Sequence, residues 1–150
     1  MKATFKIRKA RAGDAKRVAT LSGELGYPAE PGAMRRRLRS IARDPDHTAY
    51  VAEAKGGGIV GWAHAFITRS LLVEPFIELG GLVVTPSQQR LGIGKLLMIA
   101  VEGWARRKGV RSVRVRSRSN RKAAHAFYRG IGYQQLKTQE TFFKEIRKTR

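Results

Sequence analysis

A turn with two glycines separates an apolar strand pattern from an amphipathic helix pattern in the middle of this chain. The segment reads VVTPSQQRLGIGK over residues 83–95. The first turn of a helix has backbone N–H groups without intrahelical partners, and it carries the positive end of the helix dipole. Glycine lets a bulky anion approach the backbone closely, so the junction predicts a phosphate or pyrophosphate site.

Two widespread phosphate-binding patterns do not fit this junction. A P-loop requires glycine where Gln89 stands and a hydroxyl residue where Leu96 stands. A dinucleotide fingerprint requires a third glycine, and position 97 holds Leu97. The pattern that remains is Gln-x-x-Gly-x-Gly, preceded by a strand and Pro86 and followed by a long helix.

The composition bounds the class of protein. A chain of 150 residues with 42% hydrophobic residues predicts a single globular domain over residues 1–150. The chain has no cysteine, which excludes disulfides and a cysteine acyl-enzyme, and its three histidines argue against a metal site. Because it lacks both an apolar run of about 20 residues and the apolar core of a secretory signal, we expect a cytoplasmic protein without membrane contact.

The formal charge of +20 is strongly basic and unevenly distributed. Residues 105–150 contain 15 lysines and arginines against two acidic residues. Such a field attracts polyanions, nucleic acids among them, and it also serves as a solvated surface that keeps a protein in solution. The composition alone does not decide between polyanion binding and a solvated surface.

The hydrophobic periodicity predicts a mixed α+β order. Strands are expected over residues 4–8, 48–54, 59–71, 76–85, 110–117, 133–136 and 140–146. A first helix is expected after an N-cap at Asp14, a second before Asp44-Pro45, a third from Ile93 to Ala105 and a fourth over residues 122–130. Gly80-Gly81 inside a strand predicts a bulge or a close approach by another group.

Two motifs carry a resemblance to a known family. Gln89, Gly92 and Gly94 in their strand–turn–helix setting resemble the coenzyme A pyrophosphate loop of the GNAT superfamily of N-acetyltransferases. The segment AHAFYRGIGY, residues 124–133, resembles the last helix and following strand of that family. The order of elements is similar from Phe5 to about Ile146.

The resemblance implies both a fold and a reaction. The fold is an α+β (α/β) three-layer domain, with a mixed and mostly antiparallel sheet of about six to seven strands flanked by about four helices. The reaction transfers an acetyl group from acetyl-CoA, or another short acyl group, to a primary amine by direct attack in a ternary complex. The amine belongs either to a small molecule or to a protein.

Roles carried over from the family assign the donor site. Backbone N–H groups would hold the pyrophosphate, namely those of Leu91, Gly92, Ile93, Gly94 and Lys95. Gln89 and Arg90 would support the loop or contact phosphate, and the backbone of Leu82, Val83 and Val84 would pair with pantetheine as an added strand. Phe127 and Tyr128 would contact the cofactor as well. Many members have asparagine where this chain has Arg121, so either Asn120 reaches that contact or Arg121 does a different job.

Two residues are the expected catalytic groups. Glu78 lies eleven residues before Gln89, an offset that resembles the glutamate base of histone-type members, and apolar neighbours would favour that role. The alternatives are a surface ion pair for Glu78 and Glu74 as the base. Tyr128 is the expected acid that protonates the coenzyme A thiolate, since the family places a tyrosine there, and a core tyrosine is its alternative.

The family places the acceptor between the first two helices and the strand that carries the base. Tyr27, Arg35 and Glu78 would then form its rim, and the basic rim predicts a carboxylate-bearing or acidic acceptor. Arg114, Arg116 and Arg118 share one strand face, which fits acceptor binding, solvent exposure or a homodimer contact. Two rival functions stay open: a ribosome-associated module that contacts nucleic acid without sequence specificity, and an acyl-CoA sensor without turnover.

Overall fold

A computed structural model describes residues 5–148, and these residues divide into two compact units, residues 5–116 and 117–148. The expectation of one domain over residues 1–150 stays a prediction. The first unit contains strands β1 (Phe5–Lys9), β2 (His47–Ala54), β3 (Ile59–Thr68), β4 (Phe76–Val84) and β5 (Val113–Val115). Its helices are α1 (Ala15–Glu24), α2 (Pro31–Arg43) and α3 (Ile93–Arg107), and the second unit contains α4 (Lys122–Gly130).

The five strands form one sheet in the order β1-β2-β3-β4-β5. The first three pairs are antiparallel and β4 pairs with β5 in parallel. The expected mixed, mostly antiparallel sheet and the four helices are therefore confirmed. The expected count of six to seven strands is wrong for the described chain, which has five.

Helices cover both faces of the sheet in the first unit. Val18, Leu21 and Leu38 of α1 and α2 belong to one buried cluster with Val51 and Val83 of the sheet. We call this side the α1–α2 face. On the opposite face the apolar stripe of α3 is buried, and a Cβ at Gly61 would lie 3.3 Å from Leu97. Helix periodicity on two sides of an alternating sheet therefore yields the expected three layers.

Asp14 occupies the N-cap position of α1, but its side chain does not cap the helix. The carboxylate accepts hydrogen bonds from the Arg8 guanidinium at 2.9 Å and from the backbone N–H of Arg11 at 2.8 Å. The carboxylate therefore fixes the connection between β1 and α1 rather than the first turn of the helix.

Several predicted strands are shorter in the structure. Residue Thr4 lies outside the described residues, and β1 runs from Phe5. β3 ends at Thr68 rather than at Leu71, because the Ser70 hydroxyl accepts a bond from the N–H of Leu72 and closes a turn. β5 starts at Val113 rather than at residue 110, because the N–H of Val110 still bonds to the last turn of α3.

The last two predicted strands, residues 133–136 and 140–146, are wrong. Residues 133–148 form no strand, since a strand needs ladder hydrogen bonds from a neighbour and these residues have none in the described part of the chain. The consecutive Phe142 and Phe143 also break an alternating pattern. Their side chains are exposed, as are those of Leu136 and Ile146. Within residues 5–148 no helix combines the length and the apolar character needed to cross a membrane.

Candidate active site

The predicted phosphate loop is the start of α3. Gly92 is the N-cap residue and adopts φ +82°, a left-handed conformation that favours glycine, with no atom within 4 Å of the place a Cβ would take. Within the described chain, none of the backbone N–H groups of residues 90–95 donates a hydrogen bond. Six consecutive free amides at a helix N-terminus, flanked by the exposed Arg90 and Lys95, suit a diphosphate.

Two side chains form hydrogen bonds that support this loop where it leaves β4. The side-chain amide of Gln89 donates to the carbonyl oxygen of Val84 at 3.2 Å, which ties the loop back to the end of β4. Arg17 of α1 donates to the carbonyl oxygen of Ile59 at 2.9 Å and to the Thr85 hydroxyl at 3.3 Å. The bond from Gln89 fits the predicted supporting role, whereas Arg17 was not predicted, because its partners are distant in sequence.

The edge of β4 that precedes the loop is open on one side. β4 has nine residues, all flanked by β3 apart from the bulge, but only Ile77, Glu78 and Leu79 pair with β5. Among the described residues no strand flanks Leu82, Val83 and Val84 on the β5 side. This open edge, which continues into the free amides, is suited to an extended chain that pairs as an added strand.

Gly80 and Gly81 form the predicted irregularity in β4. The register with β3 shifts there, so that Gly80 has no partner. A Cβ at Gly80 would lie 2.5 Å from His64 Nδ1, and one at Gly81 would lie 2.6 Å from the Trp62 ring. The two glycines are therefore required because aromatic rings of β3 lie across the backbone of β4.

Glu78 lies on the α1–α2 face, directly opposite Phe66 of β3 and Arg114 of β5. Its side chain is only 16% exposed, and one carboxylate oxygen lies 3.5 Å from the guanidinium of Arg116, whose side chain is 71% exposed. The ion pair of the alternative interpretation is therefore present, although the carboxylate itself is largely shielded. Glu74 is exposed in the loop before β4.

A pair of histidines lies on the same face and was not predicted as a pair. His47 Nδ1 and His64 Nε2 are 3.0 Å apart, and both rings lie beside Phe66. Burial lowers the pKa of His64 to about 4, and the nearby His47 acts in the same direction. His64 is therefore neutral near pH 7. Register pairing between β2 and β3 unites the two rings, a contact that sequence spacing does not reveal.

Tyr128 lies in the second unit, on α4. Its ring contacts Phe127 and Tyr133 edge-on, with ring centroids 5.1 Å and 6.0 Å away. Burial raises the pKa of Tyr128 above its usual range, with the charge of Arg121 opposing the shift. The phenol is therefore protonated at neutral pH, as an acid must be. Arg121 is the N-cap residue of α4 and Asn120 is exposed just before it.

The remaining predicted positions are placed as follows. Tyr27 and Arg35, expected at the acceptor rim, are both exposed, after α1 and in α2. His125 Nε2 donates to the carbonyl oxygen of Arg118 at 2.9 Å, in the segment before α4. Among residues 5–148, no three side chains of the metal-binding types cluster as a metal site.

The sequence profile of the Acetyltransferase (GNAT) family matches residues 15–133 of the chain. The chain belongs to this family. It is 33% identical over 135 residues to "N-alpha-acetyltransferase RimI" of Mycobacterium tuberculosis, covering 87% of this chain and 79% of that protein. It is 30% identical over 133 residues to "Aminoglycoside N(6')-acetyltransferase type 1" of Stenotrophomonas maltophilia, covering 86% of each.

Solved structures of this family share the fold. An aminoglycoside N-acetyltransferase AAC(6')-Iy in complex with coenzyme A has a TM-score of 0.85 at 20% identity, over 96% of this chain and 97% of that chain. The same enzyme with a coenzyme A bisubstrate analogue has a TM-score of 0.84 over 96% and 100%. This GNAT protein is therefore an acyl-CoA-dependent N-acetyltransferase that transfers acetyl groups to amines, with acyl-CoA as its co-substrate.

Proposed function

We propose that the protein transfers the acetyl group of acetyl-CoA in one step to a primary amine bound on the α1–α2 face beside Glu78. The observation that carries the proposal is the continuity of the open β4 edge with six free amides at the start of α3. The thioester supplies an activated acyl group when the donor is bound. The amides of residues 90–95 would hold its diphosphate, and Leu82, Val83 and Val84 would align its pantetheine chain.

Glu78 is the proposed base that removes a proton from the attacking amine. Its carboxylate lies on the strand that leads into the donor loop, and most of its surface is shielded from water. The partner Arg116 is largely exposed, and its guanidinium lies 3.5 Å from only one carboxylate oxygen. An incoming ammonium group can therefore compete with Arg116 for the carboxylate. The exposed Glu74 lacks such an environment.

Tyr128 is the proposed acid that returns a proton to the departing thiolate. Its raised pKa keeps the phenol protonated, which fits a donor of that proton. Asn120, Arg121 and Phe127 stay proposed contacts of the donor, since they flank or share α4 with Tyr128. The absence of cysteine supports direct transfer over a thioester on the enzyme.

The proposed acceptor is an amine on a neutral or acidic molecule, such as the N-terminus of a peptide. Arg114 and Arg116 line the same face as Glu78, and α2, which packs on that face, carries exposed arginines, Arg35 among them. Such a field repels a polycation. The name of the mycobacterial relative, an N-alpha-acetyltransferase, fits an α-amine as the acceptor. The names of the aminoglycoside enzymes indicate a different acceptor, an aminoglycoside, and the test compares the two classes. Nucleic-acid binding and a homodimer stay predictions.

Thiol release measured with an aromatic disulfide reagent tests the proposal without background, because the chain has no cysteine. We expect turnover with acidic peptides to exceed turnover with kanamycin or spermidine. Glu78→Gln should lower kcat by about 10²–10⁴-fold with unchanged acetyl-CoA affinity, whereas Glu74→Gln should not. If Glu74→Gln lowers kcat and Glu78→Gln does not, the base is Glu74. If a polycation is turned over fastest, the proposed class of acceptor is wrong.

A further inference from the structure

A cavity lies in the first unit, at the far end of α3 from the donor loop. It has a volume of about 600 Å³ and lies where β1, α2 and α3 end and β2 begins. A helix of 15 residues is about 22 Å long, so this cavity is well separated from the amides at the helix start. Its volume is in the range of sites that hold small organic molecules.

The cavity is lined by an excess of positive charge. Lys9, Arg43, Arg107 and Lys108 line it, whereas Asp44 is its one acidic lining residue. Within the described chain, none of the four cations forms an ion pair. Arg107 donates to the Tyr50 hydroxyl at 3.0 Å, a neutral partner. All four residues are exposed, and Lys108 Nζ also lies 5.9 Å from the centroid of the Trp104 ring. No carboxylate of the described chain pairs with any of the four.

A buried hydroxyl without a partner also lines this cavity. Thr48 is only 3% exposed, and its Oγ1 forms no hydrogen bond within the described chain. A buried hydroxyl left unsatisfied costs about 1–3 kcal/mol, so native structures usually provide an acceptor for it. An oxygen of a bound anion would accept this hydrogen bond and lie near the cations as well.

Helix ends explain part of this arrangement but not all of it. Arg43, Arg107 and Lys108 lie at the C-terminal ends of α2 and α3, where cations complement the helix dipole. Lys9 belongs to a strand, and the Thr48 hydroxyl is unrelated to either helix. A water molecule would satisfy Thr48 but would leave the cations without a counter-charge.

We propose that this cavity binds a small organic molecule that carries phosphate groups, at a site separate from the donor loop. The cations and the Thr48 hydroxyl would hold the phosphate oxygens. The buried ring of Trp104, with Leu38, supplies an apolar wall for the rest of the molecule. The proposal does not depend on the catalytic roles of Glu78 or Tyr128.

Calorimetric titration with inorganic diphosphate tests the site, using protein saturated with coenzyme A so that the donor loop is filled. We expect one saturable site per chain. The double variant Lys9→Gln/Arg43→Gln should weaken diphosphate binding at least about tenfold, because it removes two bonds to a charged ligand. Thr48→Val should weaken binding about tenfold as well, without loss of folding stability. The variant Lys6→Gln/Arg39→Gln removes the same charges from exposed positions of the same two elements and should retain binding.

Two results would overturn the proposal. One is the absence of saturable heat both with the coenzyme A-loaded protein and with Gly92→Glu measured without coenzyme A. The other is equal weakening in the two double variants, which would reduce the effect to overall charge. A repeat with Gly92→Glu, which blocks the donor loop, keeps the test valid even if coenzyme A fails to bind.

Discussion

The histidine pair predicts that this fold loses stability in mild acid. His64 is mostly buried, between His47 and Phe66 and against the backbone of β4 at Gly80. A proton on its ring would be placed in an apolar setting, next to a second imidazole. Lowering the pH from 7 to 5 should therefore favour the unfolded chain, where the imidazole is exposed to water.

The sign and the size follow from the pKa of His64, about 4 in the folded chain against 6.5 in the unfolded chain. Between these values the unfolded state binds more protons, so the free energy of unfolding falls as the pH is lowered from 6.5 toward 4. At about 1.4 kcal/mol per pH unit, the whole interval corresponds to about 3 kcal/mol. About 2 kcal/mol of this is lost between pH 7 and pH 5.

Asp14, at the connection between β1 and α1, does not reproduce this effect. Burial tends to raise the pKa of Asp14, but hydrogen bonds from Arg8 and Arg11 lower it on balance. Stability that depends on the ionised Asp14 is therefore lost only below pH 3.8. The loss of stability between pH 7 and pH 5 is therefore assigned to protonation of His64.

Urea unfolding at pH 7 and pH 5, followed by tryptophan fluorescence and circular dichroism, measures the difference. His64→Gln should remove most of it. His125→Gln, which changes an α4 histidine that bonds to the Arg118 carbonyl oxygen, should retain it. An equal loss of stability in wild type and His64→Gln would refute the argument from burial.

Three further predictions concern the loop, the bulge and the acid. Gly92→Glu should weaken acetyl-CoA binding by at least about 100-fold by calorimetry, since it adds strain and negative charge at the free amides, and Gly58→Glu on the exposed hairpin should not. Gly80→Ala should lower the free energy of unfolding by about 1–3 kcal/mol, because its Cβ would lie 2.5 Å from the His64 ring. The control Gly58→Ala should leave the free energy of unfolding nearly unchanged. An unchanged urea midpoint for Gly80→Ala would contradict the close approach. Tyr128→Phe should lower kcat by about tenfold or more, while Tyr133→Phe leaves kcat unchanged in the thiol-release assay.

Local signals in the sequence were sufficient for the helices and for the glycine turn that precedes α3. The third helix was predicted from Ile93 because its apolar residues recur at helical spacing, and Gly92 marks its start. The bulge at Gly80 was predicted as well, because glycine inside a strand is unusual without such a reason.

Contacts that depend on strand register could not be predicted. The ion pair between Glu78 and Arg116 and the pairing of His47 with His64 join residues far apart in sequence. The strands over residues 133–136 and 140–146 were predicted from hydrophobic periodicity, but a strand forms only where a neighbour supplies hydrogen bonds. The composition likewise indicated a basic surface without indicating the cavity beside Thr48.

The two hydrogen bonds of Arg17 have a consequence for how the two substrates affect each other's binding. This side chain joins α1, a helix beside the proposed amine site, to Thr85 at the root of the loop that would grip the donor. A movement of α1 when the amine docks would pull on that root, so each ligand would alter the affinity of the enzyme for the other by the same factor. Heterotropic coupling of this kind would make the cooperativity between the two substrates depend on a single guanidinium group.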